Sequence, residues 1–178
     1  AELRSAGAPA IRRIAATVLI QSLQSVRRHV SSAAMMTWNL RSNAADVLGL
    51  GPRTAGRLLR LGVRTAEQLI EASAERLAAK LADERLSAKI IAAWQRETQL
   101  KLSVPQLPEE AARVLAAIGY GSQERLAQTT PTELFAEIEA TLRQERHVLW
   151  LAEMSPPTVA QVTHWIRLAQ PQTERLAG

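Results

Sequence analysis

The chain repeats itself, and the repeat restricts the possible folds more than any other feature. AGRLLRLGVRTAEQLIEASAERL (55–77) aligns without a gap on ARVLAAIGYGSQERLAQTTPTEL (112–134), an offset of 57 residues. Ala55 falls over Ala112, Leu58 over Leu115, Gly62 over Gly119, Thr65 over Ser122, Leu69 over Leu126 and Leu77 over Leu134. Each copy reads as helix, glycine stop, Ser/Thr cap, short helix, second cap and next helix. Glycine supplies a left-handed C-cap. Thr65 with Gln68, and Thr130 with Glu133, stand at capping-box spacing. Pro131 takes a first helical position, where its missing N–H costs nothing. Ala, Leu, Arg, Gln and Glu dominate and strand formers are sparse, so the pattern predicts an all-α fold.

The copies continue into longer helices over about 85–99 and 132–150. A last helix covers 158–170, between the stop SPP and Pro171. In front of the repeat, Pro9 opens a long amphipathic helix that runs to about Val30. Ile11, Ile14, Val18, Leu19, Leu23 and Val26 form its apolar stripe, and Arg13, Thr17, Gln21, Gln24 and Arg28 face away. This divides the chain into an N-terminal helix and junction (1–41), a first unit (42–100) and a divergent second unit (101–178). KLSVPQLP (101–108), with two prolines, marks the boundary between the units.

Cysteine is absent, which excludes disulfides, thiolate metal sites and cysteine nucleophiles, and fits a reducing, cytoplasmic setting. IAATVLI (14–20) is too short to span a bilayer and is flanked by arginines, so no transmembrane segment is expected. The chain opens on Ala rather than Met, which reads as a processed chain or a piece of a longer one.

Net charge is +5, and it is unevenly spread. Ten arginines precede Thr65 against only Glu2 and Asp46, whereas twelve bases face fifteen acids from there on. A basic first third points to an acidic partner, nucleic acid ahead of an anionic membrane surface. Nineteen of the 22 bases are Arg, a residue suited to bidentate phosphate contact, although base composition of the genome would produce the same bias.

The sharpest local signal is LGLGPRTAGRLL (48–59). A short helix over 42–48 meets a second that starts near Pro52. Gly49 and Gly51 permit a tight turn, and Leu50 between them can point inward. The first amides of the second helix lack internal partners, and the helix dipole places partial positive charge there, which suits an anion. Arg53 and Thr54 stand at the rim. Arg53, Arg57, Arg60 and Arg64 recur at spacings of four, three and four, with no acid between Asp46 and Glu67, so they line one face. Arg12, Arg13, Arg27 and Arg28 on the leading helix are a candidate extension of that footprint. The same helix could instead serve a protein partner or self-association.

GLGPRTAGRLL resembles the helix-hairpin-helix signature, hydrophobic-Gly-hydrophobic-Gly-Pro-basic-x-Ala. That resemblance implies sequence-independent contact with the DNA backbone, with DNA ahead of RNA. Gly49, Leu50 and Gly51 would contribute backbone amides, and Arg53 and Thr54 backbone or side chain. The wider pattern, two units closed by VTHWIRLAQ, is similar over roughly 44–170 to an uncharacterised bacterial family known only as a domain of unknown function. It is distantly similar to the C-terminal domain of the bacterial RNA polymerase α subunit, which binds DNA. The second unit departs from the signature: Gln106, Pro108 and Glu110 stand where Gly49, Gly51 and Arg53 stand in the first.

The remaining residues point away from catalysis, and neither a metal nor another cofactor is expected. His29, His147 and His164 form no metal-ligand pair at helical spacing, and His147 and His164 read as half-buried packing groups near Trp150 and Trp165. No carboxylate set has two-metal spacing and no triad stands out. Glu133, Glu137, Glu139 and Glu145 read as a solvated helix face. Trp38, Trp94, Trp150 and Trp165 read as core anchors rather than stacking platforms. Two functions stay open: nucleic-acid binding through the first hairpin and its arginines, or a protein–protein module in which both hairpins are architecture.

Overall fold

A computed structural model describes residues 37–144 and 156–171. The leading helix expected over 9–30, with Arg12, Arg13, Arg27, Arg28 and His29, lies outside the described residues. So do Glu145, His147 and Trp150.

Every named element among the described residues is an α-helix. In chain order they are α1 (Ala44–Val47), α2 (Pro52–Arg60), α3 (Ala66–Glu71), α4 (Ala74–Leu81), α5 (Ala88–Ser103), α6 (Glu109–Ala117), α7 (Gln123–Gln128), α8 (Pro131–Gln144) and α9 (Val159–Ala169). Most are too short to persist alone in water, so their stability comes from packing and from well-made ends. The ends follow the sequence signals. Thr65 and Gln68 form a reciprocal capping box on α3, Thr158 and Gln161 another on α9, and Thr130 and Glu133 exchange the same pair of bonds at the start of α8. The α2 and α6 helices, nine residues each, stop in the same way. Gly62 and Gly119 take positive φ, and the amides of Val63 and Tyr120 reach back to the carbonyls of Leu58 and Leu115.

Two apolar clusters form the interior. Ala44, Leu48, Leu58, Leu69, Leu77, Leu81 and Ile91 build one, with Leu50, Val63 and Trp94 packed on it. Leu100, Val104, Leu115, Leu126, Leu134, Ile138, Val162 and Trp165 build the other.

The α5 helix serves both clusters. Its front end contributes Ile91 and its back end Leu100. Between them its polar side chains hold the ends of other segments. The Gln95 side chain donates to the Leu69 and Ala72 carbonyls behind α3, at 2.9 and 2.7 Å. Arg96 Nε donates to the Ala116 carbonyl near the end of α6, at 2.8 Å. Lys101 Nζ donates to the Val47 carbonyl at the end of α1, at 2.7 Å. The helix is thus buried on several sides, and it runs into the stretch 101–108 expected between the units. The first three residues of that stretch are helical and Lys101 is buried, because the linker-like composition is overridden by packing on both clusters.

Candidate nucleic-acid interface

The first hairpin is held from below and open above. Asn43 caps α1, its Oδ1 accepting from the amides of Ala45 and Asp46. The chain then turns through Gly49, whose φ of +62° is a left-handed conformation that a side chain would resist. The Leu50 amide donates back to the Ala45 carbonyl, and its side chain packs on the first cluster. Leu50 therefore anchors the turn, while Gly49 and Gly51 are exposed. Gly51 is the N-cap of α2 without a side-chain cap, and the first turn of that helix carries no acid. Pro52 has no N–H. The amides of Gly51, Arg53 and Thr54 make no hydrogen bond among the described residues. Three free donors thus lie at the positive end of a nine-residue helix.

Arg53, Arg60 and Arg64 are exposed and take part in no ion pair among the described residues. Thr54 is half-buried. Arg57 leaves the stripe. Its guanidinium donates to Asp83 Oδ2 at 2.5 Å and to the Leu81 carbonyl at 2.6 Å. Between these two partners sits Ala82, the one non-glycine residue with positive φ among those described, at +47°. Arg57 thus clamps a strained turn at the end of α4. Helical spacing puts it at the edge of the arginine face, within reach of that turn, and a partly buried pair outweighs full solvation there.

Arg41 is a cation that spacing did not single out. The segment around it runs beside 64–67: Ala44 and Glu67 donate to the Arg64 and Leu40 carbonyls at 2.9 and 3.0 Å, and Asn43 bridges Thr65. Arg41 is exposed, and the bonds on either side of it set its backbone beside that of Ala66 and Glu67. Only the fold brings these segments together, since Arg41 and Glu67 are 26 residues apart in the chain.

Carboxylates also approach the turn. A Cβ added to Gly49 would stand 3.3 Å from Glu109 Oε1. That carboxylate is already engaged, by Arg113 at 2.8 Å and by Lys101 at 3.7 Å. Beneath it, Glu97 Oε1 pairs with Lys101 Nζ at 2.9 Å. Burial pushes the Glu97 carboxyl above its ordinary range, against the pull of Lys101 and Arg113. Asp46, on α1, is exposed.

The second hairpin differs. Pro105, Gln106, Pro108, Glu109 and Glu110 are exposed, and α6 begins behind Pro108 with two acids in its first turn. It offers carboxylates where the first hairpin offers amides and guanidinium groups.

His164 is exposed, which corrects the half-buried expectation. Val162, Trp165, Ile166 and Ala169 take the inward face of α9 and leave position 164 outside. Trp165 is buried, and Trp94 and Trp38 are half-buried. Glu133 and Glu137 are exposed and Glu139 half-buried. Among the described residues no group of His, Asp and Glu could hold a metal ion, and no helix is long and apolar enough to cross a membrane.

Neither a curated protein nor a solved structure matches the chain. A family comparison does match it, over residues 48–172, from the glycine turn to just past α9. That span covers more than half of the sequence, and the chain belongs to the family described as a domain of unknown function, DUF4332.

Proposed function

We propose that this protein binds nucleic acid non-enzymatically, through its phosphate backbone and without reading sequence. The contact is made by the first hairpin. One observation carries the reading: three free amides and the exposed Arg53 mark the start of α2, and Arg60 at its end and Arg64 just past it are likewise exposed and unpaired among the described residues. Phosphate contacts of this kind fix position and carry no sequence information. Residues 42–100 and 101–171 are read as two divergent helix-hairpin-helix-like units. They share a Ser/Thr cap on α3 and α7, their glycine stops, and the lengths of α2 with α6 and α3 with α7. The second unit has exchanged a phosphate-facing turn for an acidic one. DNA is favoured over RNA on the helix-hairpin-helix resemblance, and a bacterial cytoplasm suits a chain without cysteine.

The test is a titration of fluorescent duplex oligonucleotides of unrelated sequence over a salt series. Three neutralised phosphates give a log–log slope of about −2.7. Arg53→Glu with Arg60→Glu abolishes binding and leaves helicity intact. Unchanged affinity in that double variant sinks the proposal. Arg57 stays untouched in this experiment because its partners are internal.

A second reading, a protein–protein module, is favoured by apolar side chains left in solvent. Leu40 and Leu59 are about half exposed, at 49% and 52%, and Trp38, Leu40 and Leu102 line a shallow groove of about 650 Å³. Self-association on gel filtration without any oligonucleotide signal would select that reading.

A further inference from the structure

Among the described residues, nothing requires a glycine at position 56. It lies in the interior of α2, where glycine is less favourable than alanine by roughly 0.5–1 kcal/mol. Its φ is not positive, and a Cβ built on it would meet nothing within 4 Å among the described residues. The other described glycines have local reasons: a left-handed φ, a crowded neighbour, or a cap position. Gly56 alone is a half-buried notch on a regular helix, with room for a side chain it does not carry.

Its neighbours on the helix surface define what the notch could receive. Arg53 lies three residues before it and Arg60 four after, so all three share one face. Both arginines are exposed and unpaired among the described residues. Leu59, three residues after Gly56, is 52% exposed beside them. No acid lies anywhere on α2. A polyanion fits this charge, and a missing side chain lets a bulky backbone come close between two cationic arms.

We propose that α2 itself seats a nucleic-acid strand, with its phosphodiester backbone lodged against Gly56. Arg53 and Arg60 clasp phosphates on either side, and Leu59 lies against a sugar. This rests on the nucleic-acid reading above and extends the footprint from the hairpin tip along the helix.

The experiment compares the full chain with Gly56→Ala, Gly56→Leu and Arg53→Ala/Arg60→Ala, titrating a fluorescent duplex over a salt series and recording thermal melts. Gly56→Ala raises the melting temperature, because alanine is the better helix former. Gly56→Leu keeps the chain folded but lifts the strand off both arginines. Its affinity falls on the order of tenfold, and its salt slope becomes shallower by about 2. Wild-type affinity for Gly56→Leu, with binding lost in the arginine variant, overturns this footprint and leaves the hairpin reading standing. Wild-type affinity in the arginine variant removes the reading itself. A lower melting temperature in both glycine variants would show that the notch is filled from within the chain, and also overturns the proposal.

Discussion

Lys101 Nζ donates to the Val47 carbonyl at 2.7 Å, so a buried ammonium on the long α5 helix holds the residue two places before the glycine turn. The same ammonium neutralises Glu97, and both side chains are more than nine-tenths buried. The first hairpin is therefore fixed from beneath by a charge that exposed residues cannot replace.

Replacing Lys101 tests this directly. Lys101→Met leaves the buried Glu97 only the half-buried Arg113, 3.9 Å away, and should destabilise the fold by about 3–5 kcal/mol in chemical denaturation. Adding Glu97→Gln should recover a large part of that loss, since the second change removes the stranded charge. A loss below about 1 kcal/mol for the single variant would show the pair to be no stronger than a surface ion pair.

Arg57 makes the opposite kind of contribution from its neighbours on α2. Arg57→Ala removes bonds to Asp83 and to the Leu81 carbonyl, with the paired side chains only 27% and 30% exposed. The denaturation midpoint should fall, by less than for a fully buried charged pair because water reaches this one. Arg53→Ala and Arg60→Ala should leave the denaturation midpoint near that of the wild type.

The Asp83 pair also sets a pH dependence. The Arg85 amide first, and then the Arg57 guanidinium, hold the Asp83 carboxyl below its ordinary value of 3.8. A depressed folded-state pKa contributes stability that is present above the unfolded value and lost as pH falls through the folded one. The difference in stability between the wild type and Asp83→Asn should stay flat from neutrality to about pH 5, then close below the ordinary aspartate range. Denaturation midpoints of the two proteins across pH provide the check.

Gly121 stands where two elements nearly touch. A Cβ there would lie 2.8 Å from Arg96 Cγ and 3.2 Å from Arg96 Cβ. Arg96 is pinned by its bond to the Ala116 carbonyl, so it cannot swing aside cheaply. Gly121→Ala should cost about 1–3 kcal/mol by overpacking. A thermal melt indistinguishable from the wild type would show that α5 has room to shift.

The sequence by itself determined the helical class, the places where helices start and stop, and the shape of the first turn. These depend on local chemistry: a hydroxyl three residues before an amide, a glycine where φ must be positive, a proline at a first helical position. It also exposed the one-signed run of arginines, because charge can be counted. Only the tertiary structure decided how those charges are used. Arg53, Arg57 and Arg60 look alike on a helical wheel, yet Arg57 is claimed by Asp83 and Leu81, 26 and 24 residues away, and the other two are left free. Nothing in the sequence singles out Gln95, Arg96 or Lys101, yet they reach carbonyls 20 to 54 residues distant. Long polar side chains carry no local record of their partner, because the partner's position depends on how the two apolar clusters pack around α5.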